Sequence, residues 1–147
     1  MKVVFDTNVV LDLLIDRAPH ADAAAILFAA VEQGEMVGCL CGTTVTTIHY
    51  LVAKSHGRTC ARDAVDKLLK LFEIAPITRP VLEEALGQNS DDFEDAVIAQ
   101  AARHVGAQAI VTRNVKDFDC RDLSICTPDE LIKTLQITGD RSQTPYV

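Results

Sequence analysis

The sequence predicts an α/β fold: a mostly parallel sheet with helices on both faces. Two observations predict it. β-type and α-type signals alternate along the chain, which implies strand–helix–strand units with right-handed crossovers. In addition, the apolar strand Lys2–Phe5 ends abruptly on Asp6, Thr7 and Asn8. Polar groups delivered by a strand end belong at the C-terminal edge of an open sheet, where ligands bind. At 147 residues, 48% hydrophobic and 24% charged, the chain suits one soluble domain with a substantial core. Aromatic residues make up 5% and Trp is absent, so that core is aliphatic.

Each element follows from local pattern. After the first strand, Val9 to Ile15 reads as a short helix interrupted by Asp12. Ala21 to Gln33 is a second helix, with Ala23, Ile26, Leu27, Ala30 and Val31 on one stripe and Gly34 ending it. Met36 to Cys41 is the second strand. Thr43 to Lys54 and Ala61 to Phe72 are amphipathic helices separated by Gly57. Phe72 to Ile77 is a short third strand. Pro80 and Gly87 bracket a helix over Val81 to Leu86. A further helix spans Asp92 to Val105, followed by strands at Ala109–Thr112 and Leu123–Cys126. Thr127, Pro128 and Glu130 form a capping-box opening for a last helix to about Leu135. The expected domain is residues 1–137, and residues 138–147 read as a polar, flexible tail.

Charge and cysteine usage narrow the function. A net charge of −7 argues against binding nucleic acid by bulk attraction. It leaves room for an enzyme that engages nucleic acid through metal ions and a local basic patch. No apolar run approaches the roughly 20 residues of a membrane span, and no signal-peptide core precedes the first strand. The five cysteines (Cys39, Cys41, Cys60, Cys120, Cys126) include no CxxC pair. They fit neither a zinc site nor a disulfide framework, so a reducing, cytoplasmic location is expected.

Carboxylates then recur where the topology gathers strand ends. Asp6 is the first. In Ser90-Asp91-Asp92-Phe93-Glu94-Asp95, Asp91 with Glu94 reads as a capping pair, and first-turn acids suit the helix dipole. Asp95 is different, because helical angle places it over the inward column of Ile98, Ala99 and Ala102. A carboxylate heading an apolar stripe needs a partner. After the fourth strand, Thr112 and Asn114 leave the sheet as Thr7 and Asn8 do, and Asp117 follows within reach. Three acidic segments at matched positions point to a shared metal ion. A phosphotransfer or receiver domain would place an acid after strand three, where Ala75-Pro76-Ile77-Thr78 has none.

DTNVVLDLL, DFEDAVIAQAA, and IVTRNVKDF followed by ICTPDELI resemble a PIN domain, and more narrowly the VapC-like ribonuclease toxins of toxin–antitoxin pairs. The likeness covers about residues 1–136. It implies a three-layer sandwich with sheet order 3-2-1-4-5, and a Mg²⁺- or Mn²⁺-dependent endoribonuclease. Carried over by motif, Asp6 is the first acid, Asp95 the third and Asp117 the fourth, with Asn114 where some members place an acid. By the same reading Asp6 and Asp95 hold the metal. Asp117 binds through water or completes a second site, and Asn8, Thr112 and Asn114 orient carboxylates and substrate. The family's usual second acid, a Glu opening the helix after strand two, is missing from Gly42-Thr43-Thr44-Val45-Thr46-Thr47. Thr47 or a neighbour takes its place, with Asp92 or Asp12 as possible substitutes, whereas His49 reads as a packed or surface histidine. That gap keeps a non-catalytic PIN-like binding module as the alternative. Lys54, His56, Arg58, Arg62, Arg113 and Lys116 are candidate RNA contacts. The resemblance further implies a cognate antitoxin partner and a homodimer.

Overall fold

A computed structural model describes residues 1–143, with side chains through residue 136. The elements run β1 (Lys2–Phe5), α1 (Thr7–Leu14), α2 (Ala21–Glu32), β2 (Val37–Cys41), α3 (Gly42–His56), α4 (Arg58–Leu71) and β3 (Glu73–Ala75). They continue with α5 (Arg79–Gly87), α6 (Phe93–His104), β4 (Ala109–Val111), a 3-10 turn at Val115–Asp117, β5 (Ser124–Cys126) and α7 (Pro128–Gln143).

The five strands form one parallel sheet in the order β3-β2-β1-β4-β5. The first crossovers step outward from β1 through β2 to β3, and the chain then returns to the far side of β1 for β4. The order therefore reverses between β1 and β4, which is where a sheet of this kind opens a crevice at its carboxyl edge.

Strand alternation divides the core into two. Val3 and Phe5 face one side and pack with α1, α2, α3, α4 and Leu131 of α7. Val4, Cys39, Cys41 and Ile110 face the other and pack with α5 and α6. On the first side, Phe5, Phe28 and Phe72 meet edge to face, with centroids 5.1–5.9 Å apart. Such pairs contribute about 0.5–1.5 kcal/mol each beyond burial. Gly38 of β2 makes room for them, since a Cβ there would stand 2.6 Å from the Phe72 ring. All five cysteines are free, and Cys39 and Cys41 are buried fillers of β2. Among the described residues no helix is long and apolar enough to cross a membrane.

Several boundaries differ from expectation for identifiable reasons. α1 begins at Thr7, because Asp6 is itself the cap and accepts from the Thr7 amide at 2.8 Å. α3 runs on to His56, and α4 starts at Arg58 directly after Gly57, whose φ of +92° turns the chain. α5 starts at Arg79 behind a Thr78 cap and includes Gly87. β3 is shorter than expected, since Phe72 turns into the core ahead of it and Pro76 lacks an amide to extend the ladder. The capping box forms as read: Thr127 Oγ1 accepts from the Glu130 amide at 3.2 Å, and Glu130 Oε1 accepts from the Thr127 amide at 3.0 Å. α7 then continues to Gln143, eight residues past the expected end at Leu135. Its backbone takes in residues 138–143 of the expected tail, and residues 144–147 lie outside the described residues.

Candidate active site

Asp6 sits at the reversal of strand order. Its amide donates to the Val111 carbonyl at 2.9 Å, continuing the β1–β4 ladder by one residue. Its carboxylate is 7% exposed and held from three directions. Oδ1 accepts from the Thr7 amide at 2.8 Å. Oδ2 accepts from the buried Thr112 hydroxyl at 2.7 Å and from Asn8 Nδ2 at 3.3 Å. Thr112 Oγ1 in turn accepts from the Asn114 amide at 3.0 Å, and Asn8 Oδ1 from the Arg113 amide at 3.4 Å. The residues that leave β1 and those that leave β4 thus brace one carboxylate between them.

Asp95 enters from the first turn of α6. The cap of that helix is Asp92, not Asp91: Asp92 Oδ1 accepts from the Asp95 amide at 3.2 Å. Ser90 fixes the cap residue, with its Oγ accepting from the Asp92 amide at 3.2 Å and donating to the Asp92 carbonyl at 3.1 Å. Asp95 is half-buried over Ala96 to Gln100, which are all buried. Burial, together with the charges of Asp92, Asp6 and Asp117, pushes its carboxyl up to about 7. Asp6 is raised as well, by burial first, with the bonds from Thr112 and Thr7 opposing and the charges of Asp117 and Asp92 adding. Asp6 has three donors to stabilise its anion, whereas Asp95 has acidic neighbours and an Asp92 oxygen to donate to. Burial and acidic neighbours thus favour the protonated form of Asp95. Asp117 reaches the same field from the 3-10 turn.

A carboxylate cluster short of positive charge, at a sheet edge built by DTN and TRN segments, meets an independent finding. A family model described as the PIN domain matches residues 2–116. The chain belongs to the PIN domain family. No curated protein matches it by sequence. Among solved structures, it resembles a chain of a Klebsiella pneumoniae toxin–antitoxin complex at 25% identity and TM-score 0.65, covering 86% of this chain and 97% of that one. It also resembles a chain of Rickettsia felis VapBC2 bound to promoter DNA, at 18% identity and TM-score 0.66, covering 86% and 98%. A third similar chain is Mycobacterium tuberculosis VapC20, described as a sarcin–ricin loop cleaving toxin, at 19% identity and TM-score 0.61, covering 81% and 91%. The expected PIN sandwich and its strand order match this fold.

Within this PIN domain, not every expected site residue joins the acidic centre. Thr47 is half-exposed and, among the described residues, its hydroxyl takes part in no hydrogen bond. The α3 residue that reaches the β1 end is Thr44, fully buried, whose Oγ1 accepts from Thr7 Oγ1 at 3.3 Å. Asp12 does not stand in for the missing acid. It is 1% exposed and paired with Arg17 Nη2 at 2.9 Å and Arg113 Nε at 2.8 Å. Arg113 is accordingly committed to Asp12 rather than presented to substrate. Lys54 lies over its neighbour Tyr50, 5.9 Å from the ring centroid. His56 is bonded to Ser55 at 2.7 Å. Ten residues separate Lys54 from Thr44, about 15 Å along the helix axis. His49 is half-exposed, while Arg58, Arg62 and Lys116 are exposed. Thr44 left no signal among the two threonine pairs that flank Val45. Asp12 did leave one, a lone acid inside an apolar run, four residues after Asn8 and five before Arg17.

Asp6, Asp92, Asp95 and Asp117 offer oxygen only, which suits Mg²⁺ or Mn²⁺ and not a thiolate- or imidazole-seeking metal. Among the described residues no group of three or more Asp, Glu, His or Cys side chains is placed to hold one ion. An open arrangement is what Mg²⁺ accepts, because it sheds water reluctantly and binds through one or two carboxylates plus substrate phosphate.

Proposed function

We propose that this PIN domain is a Mg²⁺- or Mn²⁺-dependent endoribonuclease acting as the toxin of a toxin–antitoxin pair. The observation that carries this reading is the buried, triply braced Asp6 electrostatically joined to Asp95 at the switch point. Asp6 and Asp95 would hold the ion, and Asp117 would bind through water or complete a second site. Asn8 and Thr112 hold the Asp6 carboxylate in one orientation, and the Asn114 amide fixes the Thr112 hydroxyl. Bound there, the metal supplies positive charge for the phosphate and a water of lowered pKa. A chain of net charge −7 engages RNA most readily where such a cation offsets its own field.

Complexes with antitoxins among the similar structures support a cognate antitoxin as partner, and a homodimer is the assembly we expect. The test is cleavage of a mixed-sequence RNA in Mn²⁺ by wild type and Asp6→Asn. Loss of activity should exceed the roughly 10–100-fold that removing an outer-sphere partner costs. Undiminished cleavage by Asp6→Asn would refute the assignment. One observation favours a second reading, a non-catalytic binding module: the opening turn of α3 carries no acid. Metal titration separates the two, since only the nuclease needs the ion.

A further inference from the structure

Asp12 is a buried anion that the metal centre does not use. It stands one turn after Asn8 on α1, so the two side chains share a helix face. The end of α1 brings Arg17 back to it. Asp16, with a φ of +49°, turns the chain. The Asp16 amide then donates to the Leu13 carbonyl at 3.2 Å, and the Arg17 amide to the Asp12 carbonyl at 2.9 Å. This pair of bonds is the Schellman closure of a helix. It returns Arg17 to the last turn, where its guanidinium meets one Asp12 oxygen at 2.9 Å. Arg113, from the segment after β4, meets the other at 2.8 Å.

We propose that the Asp12–Arg17–Arg113 triad is a positioning device for the metal centre, acting through Asn8. Both arginines also bond Asn8. Arg17 Nη2 donates to the Asn8 carbonyl at 3.1 Å. Arg113, pinned by its guanidinium, donates its backbone amide to Asn8 Oδ1 at 3.4 Å. With its carboxamide oxygen so engaged, Asn8 turns Nδ2 to Asp6 Oδ2 at 3.3 Å. The opposite flip would set an amide oxygen against the carboxylate, and neither can donate. The triad thus selects the orientation in which Asn8 donates to Asp6. It also ties α1 to the segment after β4, the two stretches that brace Asp6. Stability alone does not call for such a triad, because apolar side chains of the same volume often serve as well as a buried ion pair. The proposal rests on the nuclease reading for the metal, and on these contacts alone for the orientation of Asn8.

The experiment is a double-mutant cycle of Arg17→Met and Asn8→Ala on the full chain. Circular dichroism shows that each protein is folded, and isothermal titration with Mn²⁺ gives its affinity. Arg17 is the arm to remove, because its side chain is 37% exposed and Asp12 keeps Arg113 as partner. Arg17→Met should weaken Mn²⁺ binding about tenfold, at the lower end of what loss of an outer-sphere partner costs. Asn8→Ala should weaken it at least as much, and the double variant should bind no worse than Asn8→Ala. Independent effects would multiply instead, to about a hundredfold or more. Arg103→Met, which breaks the ion pair with Asp122 at the far end of α6, should leave Mn²⁺ affinity unchanged. A second readout needs no metal. In chelator, the Asn8 side-chain amide signals in a nitrogen–proton NMR spectrum should move in Arg17→Met and stay in Arg103→Met. Wild-type affinity in Arg17→Met, multiplying effects in the cycle, or Asn8 signals that stay in place would overturn the proposal. A wild type that binds no Mn²⁺ while its Asn8 signals respond to Arg17→Met keeps the device and loses the nuclease reading alone.

Discussion

Replacing Asp12 with alanine removes the anion between two guanidinium groups. Asp12 is 1% exposed, with Arg17 at 2.9 Å and Arg113 at 2.8 Å. Asp12 Oδ1 and both arginine Nε atoms lack a partner in good hydrogen-bond geometry. The triad therefore holds chiefly by charge, and the change strands two cations beside each other. Breaking a fully buried pair costs about 3–5 kcal/mol. The Arg17 and Arg113 side chains are 37% and 28% exposed, so water recovers part of this. The expected loss is then about 2–3 kcal/mol, or a Tm lower by about 5–10 °C for a domain of this size. Thermal unfolding followed by circular dichroism measures it, with urea unfolding as a second readout. A fall of less than about 2 °C would refute a buried electrostatic clamp at this site. Arg17 also donates to the Asn8 carbonyl at 3.1 Å, and Asn8 contacts Asp6. Cleavage should therefore weaken at temperatures where the variant remains folded.

Further outcomes follow from the same geometry. In chelator, the folded protein holds the Asp95 proton more tightly (about 7) than the unfolded chain does (ordinary value 3.8), so stability from this group falls as pH rises between those values. Asp95→Asn should thus melt higher than wild type above pH 7, with the gap closing toward pH 4; the opposite trend would contradict the placement. Thr112→Val removes the 2.7 Å bond to buried Asp6; we expect about 1–3 kcal/mol of lost stability in urea and slower cleavage. Gly38→Ala drives a methyl into Phe72, costing about 1–3 kcal/mol in the same assay while leaving metal affinity intact.

How much of this was legible in the sequence depended on the range of the interaction. β1 ending on Asp6, the Thr127–Glu130 capping box and the alternation of elements are local patterns, and each reappears in the fold. Asp95 was readable because helical periodicity set it above Ile98, Ala99 and Ala102. The cap at Asp92 rather than Asp91 was not, since either acid satisfies the same rule and the choice rests on where Ser90 holds the chain. Thr44 was hidden because its value comes from Thr7, which a crossover brings to it. Asp12 was visible as an anomaly, but its partner Arg113 lies a hundred residues away across the sheet. The cavity beside Asp95 is lined by the α5–α6 connection and the segment after β4, and no local signal couples them.

The central claim is that Asp6 and Asp95 share a divalent cation. Isothermal titration of the chelator-treated protein with Mn²⁺ tests it without reference to any substrate. Wild type should show saturable binding that Asp6→Asn and Asp95→Asn each abolish and that Asp119→Asn preserves. No saturable binding by wild type, or binding unaffected by either substitution, would contradict it.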